Sequence, residues 1–223
     1  MNIFERTIGL LGQKSFDKLQ KAHVLVCGLG GVGGTAFEAL VRSGVGTITI
    51  VDFDTVSESN INRQILYSCE DIGKYKTEIA LNRAIKINPN ISIKSINKKI
   101  DESFTLLDKY DYIIDAIDDV NGKKTLAKLA SIKEIPIVIS LGMANKLDPA
   151  KVKFTRLDKT TDDPLARKIR YEFKKEGIVT SKIMAVNSTE APQTSGSTLN
   201  SMMVVPSIAG LQLASYVINE LIK

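Results

Sequence analysis

Histidine and cysteine are nearly missing: His23 is the only histidine among 223 residues, and Cys27 and Cys69 are the only cysteines. Two thiols build neither a disulfide framework nor a four-thiolate zinc site. One imidazole makes a histidine-based metal site untenable. A Ser-His-Asp triad would have to use His23, which reads as a strand-edge residue. Aromatic residues are also scarce, at 6%, and no interleaved platform for stacking bases is seen beyond Tyr171 and Phe173. The most apolar late stretch, Met202 to Ile222, is interrupted by Ser207, Gly210, Gln212, Ser215, Asn219 and Glu220. A membrane span needs about 20 predominantly apolar residues, so this stretch is expected to be a strand-to-helix core segment. The opening residues 1–16 carry Glu5 and no long apolar centre, which makes a poor signal peptide. A cytoplasmic protein is expected.

What is present is ordinary for a globular chain: 43% apolar and 25% charged residues, at a length suited to one sizeable domain spanning 1–223. The formal charge of +5 favours an anionic partner such as a nucleotide or RNA, or a membrane surface, although many soluble proteins with this bias bind none of these.

Residues 7–20 read as an amphipathic helical arm. His23-Val-Leu-Val-Cys27 is a buried strand and runs into Gly28-Leu-Gly-Gly-Val-Gly-Gly34. Phe37, Leu40, Val41 and Gly44 then follow at helical spacing. Thr47–Val51 is a second strand. Residues 74–88 are a helix stopped by Asn88-Pro89. Strands are expected at 91–96, 112–117 and 135–139, and another at 152–157. A helix with Leu126, Leu129 and Ala130 on one face lies among them. Residues 155–201 are expected to hold a charged, substrate-facing helix with Leu165, Ile169 and Phe173 on one face, then a polar, turn-rich mobile loop over 187–201. The alternation argues for an α/β fold, a Rossmann-like doubly wound mixed sheet with flanking helices and its ligand at the C-terminal edge of the strands.

Gly28, Gly30 and Gly33 satisfy G-x-G-x-x-G between a strand and a helix, and Gly31 and Gly34 enrich it. Glycines let backbone N–H groups approach a phosphate at a helix N-terminus. Asp52, at the end of the next strand, suits ribose hydroxyls. A dinucleotide would be the default ligand. Asn60-Ile-Asn-Arg63-Gln64 and Lys76 argue instead for a triphosphate, because Arg63 can grip phosphate oxygens in bidentate fashion and Lys76 adds a point charge. Asp118, just past the end of the 112–117 strand, is the better of the carboxylates there to hold Mg²⁺ against phosphates. Cys27 reads as a small core residue. Cys69 lies beside Glu70 and Asp71, which do not favour a thiolate.

Taken in order, Gly28–Gly34, Asp52-Phe-Asp54, Asn60–Gln64, Lys76 and Asp115-Ala-Ile-Asp118 resemble the ATP-dependent adenylyltransferases related to ubiquitin-activating enzymes, the ThiF/MoeB/HesA superfamily. Glu5-Arg6-Thr7, residues 142–149, Lys159–Arg170 and the Gly196-Ser197 region with its apolar closing segment resemble the tRNA threonylcarbamoyladenosine dehydratase branch. The resemblance implies that Gly28, Gly30, Gly31, Gly33, Asp52, Asp54, Asn60, Arg63, Gln64, Lys76 and Asp118 bind ATP. Within that set Gly30 and Gly31 line the phosphates, Asp52 holds the ribose, and Asn60, Arg63 and Lys76 contact the phosphates. It implies Mg²⁺ at Asp118, and catalysis by Arg6, Arg63, Lys76 and Asp118. Arg6 would reach into a partner subunit's ATP site, making a homodimer. Lys123 matches a basic residue a few positions after the metal-site acid. The resemblance extends to a monovalent cation, Na⁺ or K⁺, for which the sequence names no ligand.

The implied activity is ATP-dependent cyclisation of the threonylcarbamoyl group on the adenosine beside the tRNA anticodon. On that basis Lys159, Arg167, Lys168, Arg170 and Lys174 are candidates to meet tRNA phosphates, against the alternative of a solvated charged face. The alternative activity is adenylation of the C-terminus of a ubiquitin-like sulfur carrier. Its enzymes usually carry two Cys-x-x-Cys pairs, which this chain lacks. Some relatives have a cysteine in the late loop. Residues 187–201 contain none, so the sequence supplies no residue for a sulfur-relay partner.

Overall fold

The computed structural model describes residues 2–161, 163–193 and 199–223. Seven strands form one sheet: β1 (His23–Cys27), β2 (Thr47–Val51), β3 (Ser92–Ile96), β4 (Tyr112–Asp115), β5 (Ile137–Ser140), β6 (Val152–Arg156) and β7 (Met184–Ser188). Their order is β3-β2-β1-β4-β5-β7-β6, and every pairing is parallel except that of β6 with β7. The chain builds outward from β1 in one direction through β2 and β3, and in the other through β4 and β5. The switch between β1 and β4 opens a crevice at the C-terminal ends of the strands, where open α/β sheets bind ligands.

Successive strand residues face opposite ways. Val24 and Val26 enter one core with Ile48, Ile50 and Ile114, while Leu25 and Cys27 enter the other with Ile113, Ile139 and Ala185. Both faces are therefore buried, and the strands read as continuous apolar runs. The first face is covered by α2 (Gln13–Lys21), α3 (Gly31–Ser43), α4 (Lys76–Ile87) and α7 (Val204–Ile222). The second is covered by α5 (Val120–Ile132) and α6 (Pro164–Lys175). Helices α3 and α7 cross so closely that a Cβ on Gly210 would lie 2.3 Å from the Val32 carbonyl oxygen.

Four expectations change. The N-terminal arm is two helices, α1 (Glu5–Leu11) and α2, because Gly12 between them adopts φ 79°. The closing segment has no strand and is helical from Val204 to Ile222. An apolar run alone does not separate a buried strand from a buried helix, and here Ala209, Gly210 and Ala214 let the helix lie against its neighbours. The strand expected over 112–117 ends at Asp115, and Ala116 begins a turn. Finally, β7 takes Asn187 and Ser188 out of the expected loop, and Glu190 beyond it is buried. Asp162 and residues 194–198, including Gly196 and Ser197, lie outside the described residues.

Candidate active site

The turn from β1 into α3 can be made only with glycine at two points. Gly28 has φ +86°, and a Cβ there would lie 2.7 Å from the Ala116 carbonyl oxygen. A Cβ on Gly33 would lie 1.8 Å from the Gly28 carbonyl oxygen. The chain thus passes tightly between the β2 and β4 ends and enters α3 at Gly31, with no side chain capping the first turn. Those open amides and the positive end of the helix suit an anion. Tyr67 braces the turn by donating its hydroxyl to the Leu29 carbonyl at 3.0 Å.

Asp52 holds the same turn from the other side. Its Oδ2 accepts from the Leu29 N–H at 2.6 Å and its Oδ1 from the Asp54 N–H at 2.8 Å. Burial raises the Asp52 pKa, against the opposing pull of Lys76 and the two amides. Each oxygen keeps acceptor capacity for a hydroxyl. Lys76 starts α4. It is almost fully buried, and its Nζ lies 2.7 Å from Asp54 Oδ2. Asn60 uses its side-chain oxygen locally, accepting from the Ser57 N–H at 3.1 Å. Arg63 donates to the Ser59 carbonyl and to Asn62 Oδ1. Gln64 is buried, and its Oε1 has no hydrogen-bond partner.

These residues line one cleft of about 770 Å³: Gly28, Gly30, Gly31, Asp52, Asp54, Asn60, Arg63, Gln64, Lys76 and Asp118. Gly33 supports the turn from below. Asp118 is exposed on the turn after β4, whereas Asp119 caps α5 by accepting from the Gly122 N–H at 2.7 Å. Among the described residues no three His, Cys, Asp or Glu side chains group as a metal site. A lone carboxylate beside a phosphate-binding turn fits Mg²⁺, which is commonly held by one or two carboxylates together with substrate phosphates. The buried, unpartnered Gln64 oxygen and the uncapped helix start fit a polar, anionic occupant.

The remaining candidates are placed elsewhere. Arg6 lies exposed on α1 and does not line the cleft of its own chain. Lys123 is not on the cleft surface; it is fully buried against Asp115. On α6, Arg167, Lys168 and Lys174 are exposed, as is Lys159 before it. Arg170 is instead held by Thr160, donating to its carbonyl at 2.8 Å and to its hydroxyl. The helix meets the cleft only at its start, through Asp163, Pro164 and Leu165. Lys174 is about 15 Å farther along the axis.

Sequence reading missed part of the wall. Lys98 and Lys99 line the cleft just past β3, and Lys146 lines it after β5. Their position beyond strand ends was the available signal. Glu190 was missed as well. Buried beside the far wall, it accepts from the Leu147 N–H at 3.0 Å and the Asp148 N–H at 2.8 Å. The bond from Asp148 is the main cause of its lowered pKa. Lys146 donates to the Glu190 carbonyl.

The ThiF family model matches residues 4–219. The tRNA threonylcarbamoyladenosine dehydratase of Bacillus subtilis (strain 168) is 32% identical over 241 aligned residues, covering 99% of this chain and 94% of the relative. The Escherichia coli (strain K12) protein of the same name is 36% identical over 210 residues, covering 86% of this chain and 76% of its own length. The solved structure of the E. coli dehydratase in complex with ATP superposes with a TM-score of 0.90 at 33% identity, over 98% of this chain and 93% of that one. The chain therefore belongs to the ThiF family, in the branch whose curated members are named tRNA threonylcarbamoyladenosine dehydratase.

Proposed function

We propose that the protein uses ATP to dehydrate the threonylcarbamoyl group on the adenosine next to the tRNA anticodon, closing it into a ring. The observation that carries this reading is the convergence of the uncapped glycine turn, Asp52, Arg63, Lys76 and Asp118 on one cleft, in a chain similar along its length to dehydratases of that name. The far side of the cleft, lined from Ser140 to Lys146, is where the modified base would sit beside the nucleotide.

Hydroxide is a poor leaving group, so the free carboxylate does not cyclise readily. In the first step a carboxylate oxygen attacks the α-phosphate of ATP and pyrophosphate leaves. In the second step a neighbouring atom of the carbamoyl group attacks the acyl carbon and AMP leaves, so the net change is loss of one water from the nucleoside. Closure is intramolecular, so the protein supplies position and charge neutralisation rather than a nucleophile. Asp52 orients the ribose. Arg63 swings from its Ser59 and Asn62 partners to the phosphates. Lys76, now paired with Asp54, offsets charge on the α-phosphate. Asp118 would hold Mg²⁺ beside the phosphates, where the ion would supply further charge neutralisation. Arg6 acts across a homodimer, in the partner's cleft. The basic residues Lys159, Arg167, Lys168 and Lys174 meet tRNA phosphates. The enzyme works where its tRNA is, in the cytoplasm, as one adenylyltransferase domain.

The test uses the purified protein with ATP, Mg²⁺ and tRNA bearing threonylcarbamoyladenosine. The nucleoside is released under mild digestion and weighed. The expected result is an ATP-dependent loss of one water, reduced at least about 100-fold in rate by Arg63→Ala. An unchanged mass with persistent pyrophosphate exchange would transfer the reading to another carboxylate, such as the C-terminus of a sulfur carrier.

A further inference from the structure

Beneath the turn that carries Asp118 lies a pair of opposite charges that touches no part of the cleft. Asp115 and Lys123 are both 0% exposed, with Lys123 Nζ 3.1 Å from Asp115 Oδ1. Removing two charges from water is costly. Replacing such a pair by well-packed apolar side chains is often neutral or stabilising. Core stability therefore gives a weak account of its presence.

The hydrogen bonds give a stronger one. Asp115 Oδ1 also accepts from the Ile117 N–H at 3.0 Å, inside the turn itself. Asp115 Oδ2 is buried without a partner, so the carboxylate is held wholly through the oxygen that binds the turn. Lys123 pins that oxygen from α5. The start of α5 is set in turn by Asp119, whose side chain accepts from the Gly122 N–H and whose carbonyl accepts from the Lys123 N–H at 3.0 Å. On the strand side, the Ala116 N–H donates to the Cys27 carbonyl at 2.8 Å. Gly122 adds a close approach: a Cβ there would lie 3.2 Å from the Ile100 carbonyl oxygen. Ala116, Ile117 and Asp119 are thus each fastened; all four residues line the cleft, and Asp118 is the one these bonds leave untied. Lys123 also cancels the charge of Asp115, which would otherwise repel phosphates arriving above it.

We propose that Asp115 and Lys123 are a positioning pair that sets the turn presenting Asp118 to the phosphates and their Mg²⁺. This rests on the reading of Asp118 as the acid that holds Mg²⁺ against the phosphates. Neither member touches a reactant, and both act through the backbone of residues 116–119.

The test replaces the pair by apolar residues, Asp115→Val with Lys123→Met, which removes the Ile117 bond while keeping the core filled. Four proteins are compared: wild type, the pair variant, Asp118→Ala, and the triple variant. Expected for the pair variant is a kcat lower by about 10- to 100-fold, with the ATP KM within about threefold of wild type. Amide exchange at Ile117 in the nucleotide-free protein should be faster by about tenfold or more. The triple variant should be no slower than Asp118→Ala, because the two changes remove one function. A pair variant with wild-type kcat and wild-type exchange overturns the proposal. So does a triple variant that loses a further factor equal to the pair's own, since the pair would then act apart from Asp118. If Asp118→Ala itself runs at the wild-type rate, the reading of Asp118 fails, and the pair falls with it. Should the pair variant not fold, Asp115→Asn with Lys123→Met gives the comparison, because it removes both charges together, leaves none buried alone and frees residue 115 from the Lys123 pin with little change of volume.

Discussion

The two walls of the cleft are built in different ways. The nucleotide wall comes from continuous stretches, 28–34 and 52–64 plus Lys76, whose parts bind one another over short distances: Leu29 to Asp52, Asp54 to Asp52, and Ser57 to Asn60. The far wall is assembled from 140–146, 163–165 and 199–206. Its ties cross long gaps in the chain: Leu147 and Asp148 to Glu190, the Gln193 N–H to the Asn145 carbonyl, and the Asn145 N–H to the Asn200 carbonyl. Asn145 adopts φ 59°, an uncommon conformation for a non-glycine residue. The contrast teaches that the wall carrying the glycine turn is written locally, while the wall proposed to take the particular substrate depends on tertiary contacts.

The largest expected effect separates the walls by one methyl group each. Gly33→Ala forces a Cβ to 1.8 Å from a backbone oxygen and should cost on the order of 3 kcal/mol or more, with loss of ATP binding. Gly142→Ala, on the far wall, meets nothing closer than 3.9 Å and should leave both intact. Thermal unfolding and ATP calorimetry on the two variants check this. Equal effects would erase the distinction.

Next in size is Glu190→Gln, which keeps the shape but removes the charge that Leu147 and Asp148 bind. The KM for modified tRNA should rise by about tenfold while the ATP KM stays unchanged. A parallel rise in both would mean that the walls are not separable.

Acidification should divide the walls by sign. Burial raises the Asp52 pKa, so its ionised form is lost at a pH above the ordinary aspartate value, and ATP affinity weakens there. The Glu190 pKa is lowered chiefly by the Asp148 N–H, so its stabilising bonds persist below the ordinary glutamate value and fail only as pH falls through the folded value. ATP titrations alongside amide exchange at Asp148 should therefore show the nucleotide wall failing first. The smallest effect is on α6: Lys168→Ala should lower the salt dependence of tRNA binding by about one unit of log–log slope and leave ATP use alone. Arg170→Ala should instead lower stability, because its partner is Thr160.

Legibility followed the same division. The β1 strand, the glycine turn and the acid after β2 were readable because each is a local pattern of apolar run, φ freedom and strand-end position. Strand β7 was not, because Met184-Ala-Val-Asn-Ser188 mixes polar residues into a strand that is buried by its place between β5 and β6 with helices over both faces. Lys123 was readable as a basic residue near the site, but its burial was not. Arg170 looked like its neighbours on α6 until Thr160 was seen beside it.

The sequence by itself determined the alternation of strands and helices, the phosphate-binding turn and the presence of acids at two strand ends, since these follow from side-chain periodicity and from the few residues able to make the turn. Strand-end position already singles out Asp52 and Asp118 in the sequence; only the tertiary structure decided the role of Asp115. Asp52 and Asp118 line the cleft. Asp115 pairs across the sheet with Cys27, on the face that α5 covers, and there it meets Lys123. Spacing along the chain places all three near the strand ends, but the direction of the pleat and the docking of α5 settle that the Asp115 carboxylate is buried away from the cleft.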